Sequence, residues 1–408
     1  MNEIQLIEIH QIKSYDKDYK ELENLCFLSK NLYNATLYAI RQEYIKSKTY
    51  LDFYKVNKLF TENNHPDYRA LPAKVSKYTQ KLVHQSFVSF FRLLKLKNND
   101  KYNKRINLPN YLHKNGKQVV HYEKGALSLV KDGYIKLSKT NIVIKTKIPR
   151  NQIHFVRIVP KGNHIRLEVG YKKELTNIKN SNNRYASIDL GLNNLMTISS
   201  NVMKPFIING KPLKSINQYY NKQKSKYNLL NLSKKELINL DRLNLKRENK
   251  INDYIHKSTR ILVNHLVSNN IDTLIIGQNI GWKQDINIGR RNNQNFVYIP
   301  FNKIIKQLIY KCRIYGIRVE IQEESYTSKC SFLDNEEICK HEIYLGKRTK
   351  RGLFRTSTNK YINADLNGSL NILKKYLIKN VAWNDTIWSD LVEANSKPNI
   401  LILTPSFN

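Results

Sequence analysis

The chain has 408 residues, enough for about two to four domains, and its apolar and charged fractions of 41% and 25% predict packed cores and exclude a disordered polymer. Its 69 Lys and Arg residues outnumber 33 Asp and Glu residues, which gives a formal net charge of +36. So much like charge indicates a polyanionic partner, above all nucleic acid, because a coding bias towards Lys would raise Glu as well, and Glu is not raised.

The first hundred residues read as one strand followed by helices. Residues 4–13 alternate between apolar and polar side chains, as a β-strand does. Apolar residues at helical spacing then predict helices over 17–48, 52–62 and 71–96, with His65-Pro66 as the break between the last two. The pattern therefore predicts a small helical unit.

The next segment changes to short alternating strands. Residues 119–171 contain five such strands, separated by turn residues such as Asp132-Gly133 and Lys161-Gly162-Asn163. This spacing predicts antiparallel strands in a small β-barrel, and the strand at the N-terminus is expected to pair into it. The helical unit is then an insertion into the barrel.

A polar linker precedes a second domain that alternates strands with helices. Apolar strands are predicted at 186–192, 195–200, 271–277 and 317–322. Charged helical segments are predicted over 215–269 and 301–315, and Asp365 opens a last helix. This order is typical of an α/β sheet.

Cysteine content and the N-terminus give an expectation about the compartment. Cys26, Cys312, Cys330 and Cys339 are too few and too irregular for a disulfide framework. The first residues show no signal-peptide pattern, and no apolar run approaches the ~20 residues that span a bilayer. We expect a cytoplasmic protein without a membrane partner; the pattern predicts no oligomeric state.

Two aspartates stand out as candidate metal or phosphate ligands. Asp189 ends an apolar strand and is followed by Leu190-Gly191, where a glycine lets a ligand approach closely. Asp365 lies at the start of the last predicted helix. Each also has an ordinary interpretation: Asp189 as a turn-capping residue, and Asp365 as a helix N-cap.

A resemblance to a known family favours the metal-ligand interpretation of both aspartates over the capping interpretation. The segments Asp189–Gly191 and Asn363–Ile372 resemble the first and third RuvC motifs of TnpB-like proteins, which are transposon-encoded, RNA-guided nucleases related to type V CRISPR effectors. Other segments resemble, in the same order, the family's recognition helices, a subgroup's characteristic stretches and the entry to its zinc module: residues 19–42, Leu71–Lys74, Arg157–Asn163, Gly281–Gln284 and Glu324–Lys329. The similarity runs over nearly the whole chain, and it implies a prokaryotic, nucleoid-associated protein.

The resemblance implies a multidomain fold: an N-terminal β-barrel with an inserted helical recognition unit, then an α/β RNase H-like (RuvC) domain with a small inserted basic module. The implied parts are the first strand of the barrel (wedge) domain at 1–14, the recognition unit at 15–98, the rest of the barrel at 99–173, a linker at 174–184, RuvC-like segments at 185–326 and 363–380, a degenerate zinc-finger-like insert at 327–362 and a C-terminal tail at 381–408.

The resemblance also implies a function. Acidic side chains would hold two Mg²⁺ ions, roughly 3.5–4 Å apart, for hydrolysis of DNA phosphodiesters. A structured guide RNA derived from the transposon end would select a double-stranded DNA target beside a short flanking motif. Two other interpretations stay open: a nuclease-dead, RNA-guided DNA-binding repressor of transcription, and a transposase accessory protein.

One departure from the family concerns the second RuvC motif. Ordinary members end that strand with a glutamate, whereas here Gly277 occupies the position. Glu323 and Glu324 end the next apolar strand, and neighbouring strands lie about 4.8 Å apart. We therefore predict Asp189, Glu324 and Asp365 as the catalytic, Mg²⁺-binding acids, with Glu323 as the alternative to Glu324.

A second departure concerns zinc. Ordinary members carry two Cys-x-x-Cys pairs, but here only Cys330, Cys339 and His341 fall in the region, without that spacing. A structural zinc site takes four ligands, so no zinc is expected. Basic and aromatic residues suited to phosphate contact and base stacking are predicted to bind nucleic acid: Lys74, Lys77, Lys81, Trp282, Lys283, Arg290, Arg291, Lys329, Lys347, Arg348, Lys350 and Arg351.

Overall fold

The protein is described by a computed structural model, which covers residues 3–178, 181–228, 231–279, 298–350, 352–395 and 401–406. The chain divides into two compact units, one formed by Glu3–Lys173 and one that begins at Glu174. None of the described helices is long and apolar enough to cross a membrane.

The first unit begins with a strand and a group of helices, as the sequence pattern predicts. Its elements are β1 (Glu3–Lys13), α1 (Tyr19–Ser47), α2 (Phe53–Glu62), α3 (Pro66–Arg69) and α4 (Ala73–Asn98). The helices form because apolar side chains recur on one face of each. Leu22, Leu32 and Leu37 of α1 are fully buried in one core with Val83 and Phe87 of α4.

The rest of the first unit is antiparallel β-structure: β2 (Val120–Glu123), β3 (Leu127–Lys131), β4 (Tyr134–Leu137), β5 (Val143–Lys145), β6 (Ile153–Lys161) and β7 (His164–Glu174). The strands form a four-stranded sheet in the order β1-β7-β6-β2 and a three-stranded sheet in the order β3-β4-β5. β1 thus pairs with a strand more than a hundred residues later, so the helices are an insertion. The described pairings give these two sheets, and a closed barrel stays a prediction.

The second unit is built on a six-stranded mixed sheet. Its strands are β8 (Tyr185–Leu190), β9 (Asn194–Ser200), β10 (Phe206–Asn209), β11 (Thr273–Gly277), β12 (Arg318–Gln322) and β16 (Leu401–Leu403), in the order β12-β11-β8-β9-β10-β16. β11 runs parallel to both β8 and β12. Because it is central and covered on both faces, its residues are all buried and apolar or small.

Helices cover the two faces of this sheet: α5 (Lys211–Lys224), α6 (Lys234–Ser268), α7 (Phe301–Ile314), α8 (Ala364–Asn380) and α9 (Asp385–Asn395). Ile188 and Ile276 point into a core that includes residues of α6 and α7. Tyr185 and Ile275 point to the other face, against α8 and α9. Since side chains alternate along a strand, Asp189 and Gly277 belong to the α8 face.

Between β12 and α8 lies the predicted basic insert. It contains a small antiparallel sheet of β13 (Lys347–Lys350), β14 (Leu353–Arg355) and β15 (Tyr361–Asn363). Residues 381–408, which the sequence pattern leaves as a tail, contain α9 and β16; Leu391 of α9 is fully buried, and β16 pairs with β10. The described parts of this segment, 381–395 and 401–406, therefore belong to the folded unit.

Candidate active site

The candidate site lies where three parallel strands end. Ile276 of β11 pairs with Ile188 of β8, so the next residues along, Gly277 and Asp189, are neighbours on the α8 face. On its other side Gly277 pairs with Gln322, the last residue of β12. Glu323 and Glu324 therefore follow directly beside the strand that lacks a carboxylate.

Gly277 leaves a space that Glu324 occupies. A Cβ at position 277 would lie 2.8 Å from Glu324 Oε2 and 2.4 Å from Ile372 Cδ1, both closer than van der Waals contact allows. The backbone N–H of Glu324 donates to Asn279 Oδ1 at 3.2 Å, which holds the segment against the end of β11. The Glu324 carboxylate, on the segment that continues β12, therefore lies against Gly277. Gly277 ends β11, the strand that pairs with the strand of Asp189.

Glu323 is directed elsewhere. Lys375 Nζ lies 2.6 Å from Glu323 Oε2, and the backbone N–H of Ser325 donates to Glu323 Oε1 at 2.7 Å. Its side chain is about half exposed. These partners engage both oxygens of Glu323, so Glu324 is the glutamate that faces Gly277.

Asp365 is in the first turn of α8, but it is not the helix cap. Asn363 is the N-cap, since its Oδ1 accepts hydrogen bonds from the backbone N–H groups of Asp365 and Leu366. The side chain of Asp365 is left to face other groups. Arg348 Nη2 donates to Asp365 Oδ1 at 2.9 Å, and Asn194 Nδ2 donates to Asp365 Oδ2 at 2.7 Å.

Burial and neighbouring negative charge raise the pKa of two of the candidate acids, Asp189 and Glu324. Burial raises the pKa of Asp189 to about 8, and the negative charges of Asp365 and Glu324 act in the same direction, while Arg348 opposes them. Burial, with Glu323 as a lesser cause, raises the pKa of Glu324 to about 7. Carboxyl groups in this state are short of positive charge, which is the electrostatic environment that a cation would relieve.

A glycine also accommodates Asp189 itself. A Cβ at Gly368, one turn after Asp365 on α8, would lie 2.9 Å from Asp189 Oδ2. Below this point Ser187, Ser199 and Ser369 are fully buried and hydrogen-bonded to one another, at 2.7–3.2 Å. Small residues on β8, β9 and α8 thus bring the helix close to the sheet, with Asp189 and Asp365 at the same end.

The donor chemistry fits Mg²⁺, although the acids are not preassembled around one ion. Carboxylate oxygens are the ligands that this hard cation prefers. Within the described ranges, no three Asp, Glu, His or Cys side chains stand close enough together to hold a metal. Both oxygens of Asp365 are engaged by Arg348 and Asn194. Each of these oxygens keeps a further lone pair for a metal, but the positive charge of Arg348 beside Oδ1 opposes the binding of a cation there.

The predicted nucleic-acid-binding residues fall into three groups. Lys74, Lys77 and Lys81 are exposed on α4, and Lys329, Lys347 and Lys350 are exposed in the insert. Arg348 was expected to contact phosphate, but in the structure it pairs with Asp365. The remaining predicted residues lie outside the described residues: Trp282, Lys283, Arg290, Arg291 and Arg351.

Two positions beside the acids, Asn194 and Gly368, were not predicted from the sequence, and neither was the contact that Arg348 makes. Asn194 starts the strand after Asp189 and lies in the turn DLGLNN, where a polar side chain returns to the same end of the sheet. Gly368 follows Asp365 by three residues and so shares its helix face, a spacing that the sequence displays. The contact of Arg348 depends on the tertiary position of the insert, and no local pattern signals it.

Comparisons with known proteins agree with the motif resemblance. Residues 164–283 match the IS605 OrfB family, described as a probable transposase, and residues 301–372 match the Cas12f1-like TNB domain. A TnpB-like protein, ORF457, of Acidianus two-tailed virus is 23% identical, over 87% of this chain and 83% of its own length. The solved Cas12f1–sgRNA–target DNA complex is 14% identical with a TM-score of 0.51, covering 86% of this chain and 82% of that chain, which shows a shared fold.

These matches confirm the predicted resemblance to TnpB-like proteins and the type V effectors, and the fold has a Cas12f-like multidomain architecture of mixed helices and sheets. At this coarse level the matches associate the chain with transposon-encoded proteins of the RNA-guided nuclease group.

Proposed function

We propose that this TnpB-like chain is an RNA-guided DNA endonuclease whose third catalytic acid has moved from the second RuvC strand to Glu324 on the neighbouring strand. The guide is a structured RNA from the transposon end, and the target is double-stranded DNA beside a short flanking motif. The single observation that carries the proposal is the carboxylate of Glu324 above Gly277, beside Asp189.

Asp189, Glu324 and Asp365 would hold two Mg²⁺ ions, which activate water and stabilise the leaving oxygen in phosphodiester hydrolysis. The protein's own part is to orient these carboxylates on β8, on the continuation of β12 and on the first turn of α8. In the protein without bound metal, Arg348 pairs with Asp365 and neutralises its negative charge. The raised pKa values of Asp189 and Glu324 mean that the free protein carries protons that a cation would displace.

The test begins with RNA that co-purifies with the protein, which is sequenced to identify the guide. With a matching DNA target and Mg²⁺, Glu324→Gln should abolish cleavage as fully as Asp189→Ala and Asp365→Ala, while guided binding stays near wild type. Gln keeps the shape and hydrogen bonding of Glu but not the charge that binds Mg²⁺. Glu323→Gln is the matched control and should be the milder change. Wild-type cleavage by the Glu324→Gln variant would overturn the relocation.

A second candidate is a nuclease-dead relative that binds DNA under RNA guidance and represses transcription. It is favoured by Gly277 and by the engagement of both Asp365 oxygens with Arg348 and Asn194. In the same assay this protein would bind its guided target tightly and leave it intact at every Mg²⁺ concentration. A third candidate, a transposase accessory protein, would act on transposon ends without a guide match.

A further inference from the structure

Lys374 is a buried cation on the helix that carries Asp365. Its side chain is 2% exposed, and its Nζ donates to Asn335 O at 3.0 Å, Asn335 Oδ1 at 2.7 Å and Glu336 O at 2.9 Å. An ammonium group has three N–H donors, and these three oxygens satisfy them all. The ring of Trp383 lies 5.1 Å from the same nitrogen. A loop of the insert thus wraps around a positive charge supplied by α8.

Two acids of the same loop tie it to the rest of the insert. Glu336, which is 5% exposed, accepts hydrogen bonds from the backbone N–H of Ser331 at 2.6 Å and of Leu345 at 2.9 Å. Asp334 accepts from the backbone N–H of Ser357 at 3.0 Å and from Ser357 Oγ at 2.7 Å. Hydrogen bonds to an ionised carboxylate are about twice as strong as neutral ones. Charged groups therefore connect chain segments that are distant in sequence.

The thiols of the insert do not make a zinc site. Cys330 Sγ lies 3.7 Å from the carbonyl oxygen of Cys339, which it approaches as a donor. Cys339 Sγ is 3.3 Å from His341 Nε2, and that nitrogen also lies 2.8 Å from Glu337 O. Zinc in a structural site takes four ligands in a tetrahedron, and the described residues of the insert do not present such a set.

The contacts of Lys374 lead to the candidate active site. Lys374 holds the backbone of Glu336, and the carboxylate of Glu336 holds Leu345. Two residues after Leu345, β13 begins, and its Arg348 donates to Asp365. Displacing the loop around Lys374 thus loosens the strand that presents Arg348.

We propose that the ammonium group of Lys374 is the organising cation of the insert, in the structural role that zinc has in ordinary family members, and that it positions Arg348 against Asp365. The first half stands on the contacts of the insert alone, and the second half rests on the proposed nuclease function. Burial lowers the pKa of Lys374 to about 8, which still leaves the ammonium form predominant at pH 7.

The first arm of the test concerns the insert and uses the full chain. Wild-type protein should contain well under one zinc per chain by elemental analysis, and its melting temperature should not change with EDTA. Lys374→Met should lower the melting temperature by about 5 °C or more and speed hydrogen exchange at the amides of Ser331 and Leu345 by tenfold or more, since an unpaired loop opens locally. Lys374→Arg should restore part of both.

The matched control is Lys379→Met, an exposed lysine on the same helix, which should change neither quantity. One zinc per wild-type chain, lost with Cys330→Ala, would overturn the cation assignment. Wild-type exchange rates in Lys374→Met would also overturn it. If Lys374→Met does not fold, the zinc content and EDTA response of the wild type and the exchange rates of Lys374→Arg still decide.

The second arm asks whether Lys374 acts through Arg348. If it does, Lys374→Met and Arg348→Ala should change the cleavage rate in the same direction and by a similar factor, and the double variant should match the single variants. Multiplying effects would overturn the positioning role and leave a general loss of stability as the explanation. A chain that cuts no DNA in any form would defeat the proposed function, while the zinc and exchange results would still decide the role of Lys374.

Discussion

At the scale of single residues, Gly277 and Glu324 form one feature. A side chain at position 277 and the carboxylate of Glu324 compete for the same space, since a Cβ would stand 2.8 Å from Glu324 Oε2. A chain with glutamate at position 277 would thus have no room for Glu324 in its present place. The loss of one acid and the arrival of the other are therefore linked by packing.

The first prediction follows from this competition. Gly277→Ala should push Glu324 away and lower the cleavage rate by about 10²-fold, because displacing a catalytic group by ~1 Å has an effect of that size. Guided DNA binding should stay near wild type. The change is measured by single-turnover cleavage. An unchanged rate for Gly277→Ala would contradict the role given to Glu324.

The second prediction concerns pH and the metal-free protein. The pKa of Asp189 is about 8 in the folded state against 3.8 ordinarily, so between those values the folded state binds a proton that the unfolded state has lost. This contribution to stability is full below about pH 4 and disappears as pH rises through 8. Wild-type protein in EDTA should therefore lose stability across this window relative to Asp189→Asn.

Melting curves at several pH values measure this difference. The two proteins should melt at the same temperature near pH 4, and the Asp189→Asn variant should melt at a higher temperature at pH 8. Each kcal/mol of stability that the wild type loses by ionising Asp189 should separate the two melting temperatures by about 2–4 °C. Mg²⁺ at pH 8 should raise the melting temperature of the wild type and leave the variant unchanged. A pH-independent difference between the two would show that Asp189 is not the group that titrates.

At the scale of elements, the N-terminus of α8 positions the acid that the third motif supplies. The cap is Asn363, whose side chain satisfies two backbone N–H groups, one of them that of Asp365. The ordinary interpretation of the sequence made Asp365 the cap, but the helix begins at Ala364, with Asn363 as its cap. This shift of register frees the Asp365 carboxylate for Arg348 and Asn194.

The third prediction tests that arrangement. Asn363→Ala should destabilise the protein by ~1 kcal/mol, a typical value for a lost cap, and should lower cleavage by tenfold or more, since Asp365 sits in the turn that frays. Ser233→Ala is the matched control. It removes the capping box that Ser233 and Glu236 form on α6, a helix without a predicted site residue, so it should cost similar stability and little activity. Equal activity losses in the two variants would argue against a positioning role.

The sequence predicted the long helices well and the edge of the second sheet poorly. Helices α1, α4 and α7 begin and end within a few residues of their predicted limits, because their apolar faces repeat over several turns. Strands β10 and β16 were not predicted. Their pairing joins Phe206 to Leu401 across nearly two hundred residues, and each is short. Such strands are stabilised by a distant partner, which local patterning does not encode.

The candidate site was predictable to the same extent. Asp189 ends a strand and Asp365 begins a helix, and the pattern located both elements. The prediction of Glu324 assumed that β11 and β12 are neighbours, and the two strands are paired in parallel. The facing of Glu323 and Glu324 was not predictable, because both follow the end of a strand where alternation no longer applies. It is set by Lys375 and Asn279, which come from α8 and from the end of β11.

At the scale of the whole molecule, the excess of positive charge is spread over both units. Some acids of the first unit are neutralised by ion pairs within that unit. Glu168, for example, is buried and pairs with both Arg157 and Arg166. Exposed lysines remain on α4 and on the insert, in one unit and in the other. The excess positive charge therefore does not belong to the second unit alone.

The last prediction is that binding of a structured RNA depends steeply on salt. A protein that contacts 6–10 phosphates loses roughly 10³–10⁵ in affinity between 50 mM and 200 mM salt, because condensed counterions are released on binding, and a chain with a net charge of +36 should fall in that range. Filter binding over a salt series measures the slope of log affinity against log salt.

Lys74→Ala and Lys77→Ala should each reduce the slope by about one if the lysine touches a phosphate. Lys58→Ala is the control, since Glu62 lies 3.8 Å from that exposed ammonium group and partly neutralises it. A slope near zero would mean that the affinity comes from base contacts, and that the net charge of this chain is not directed at a phosphate backbone.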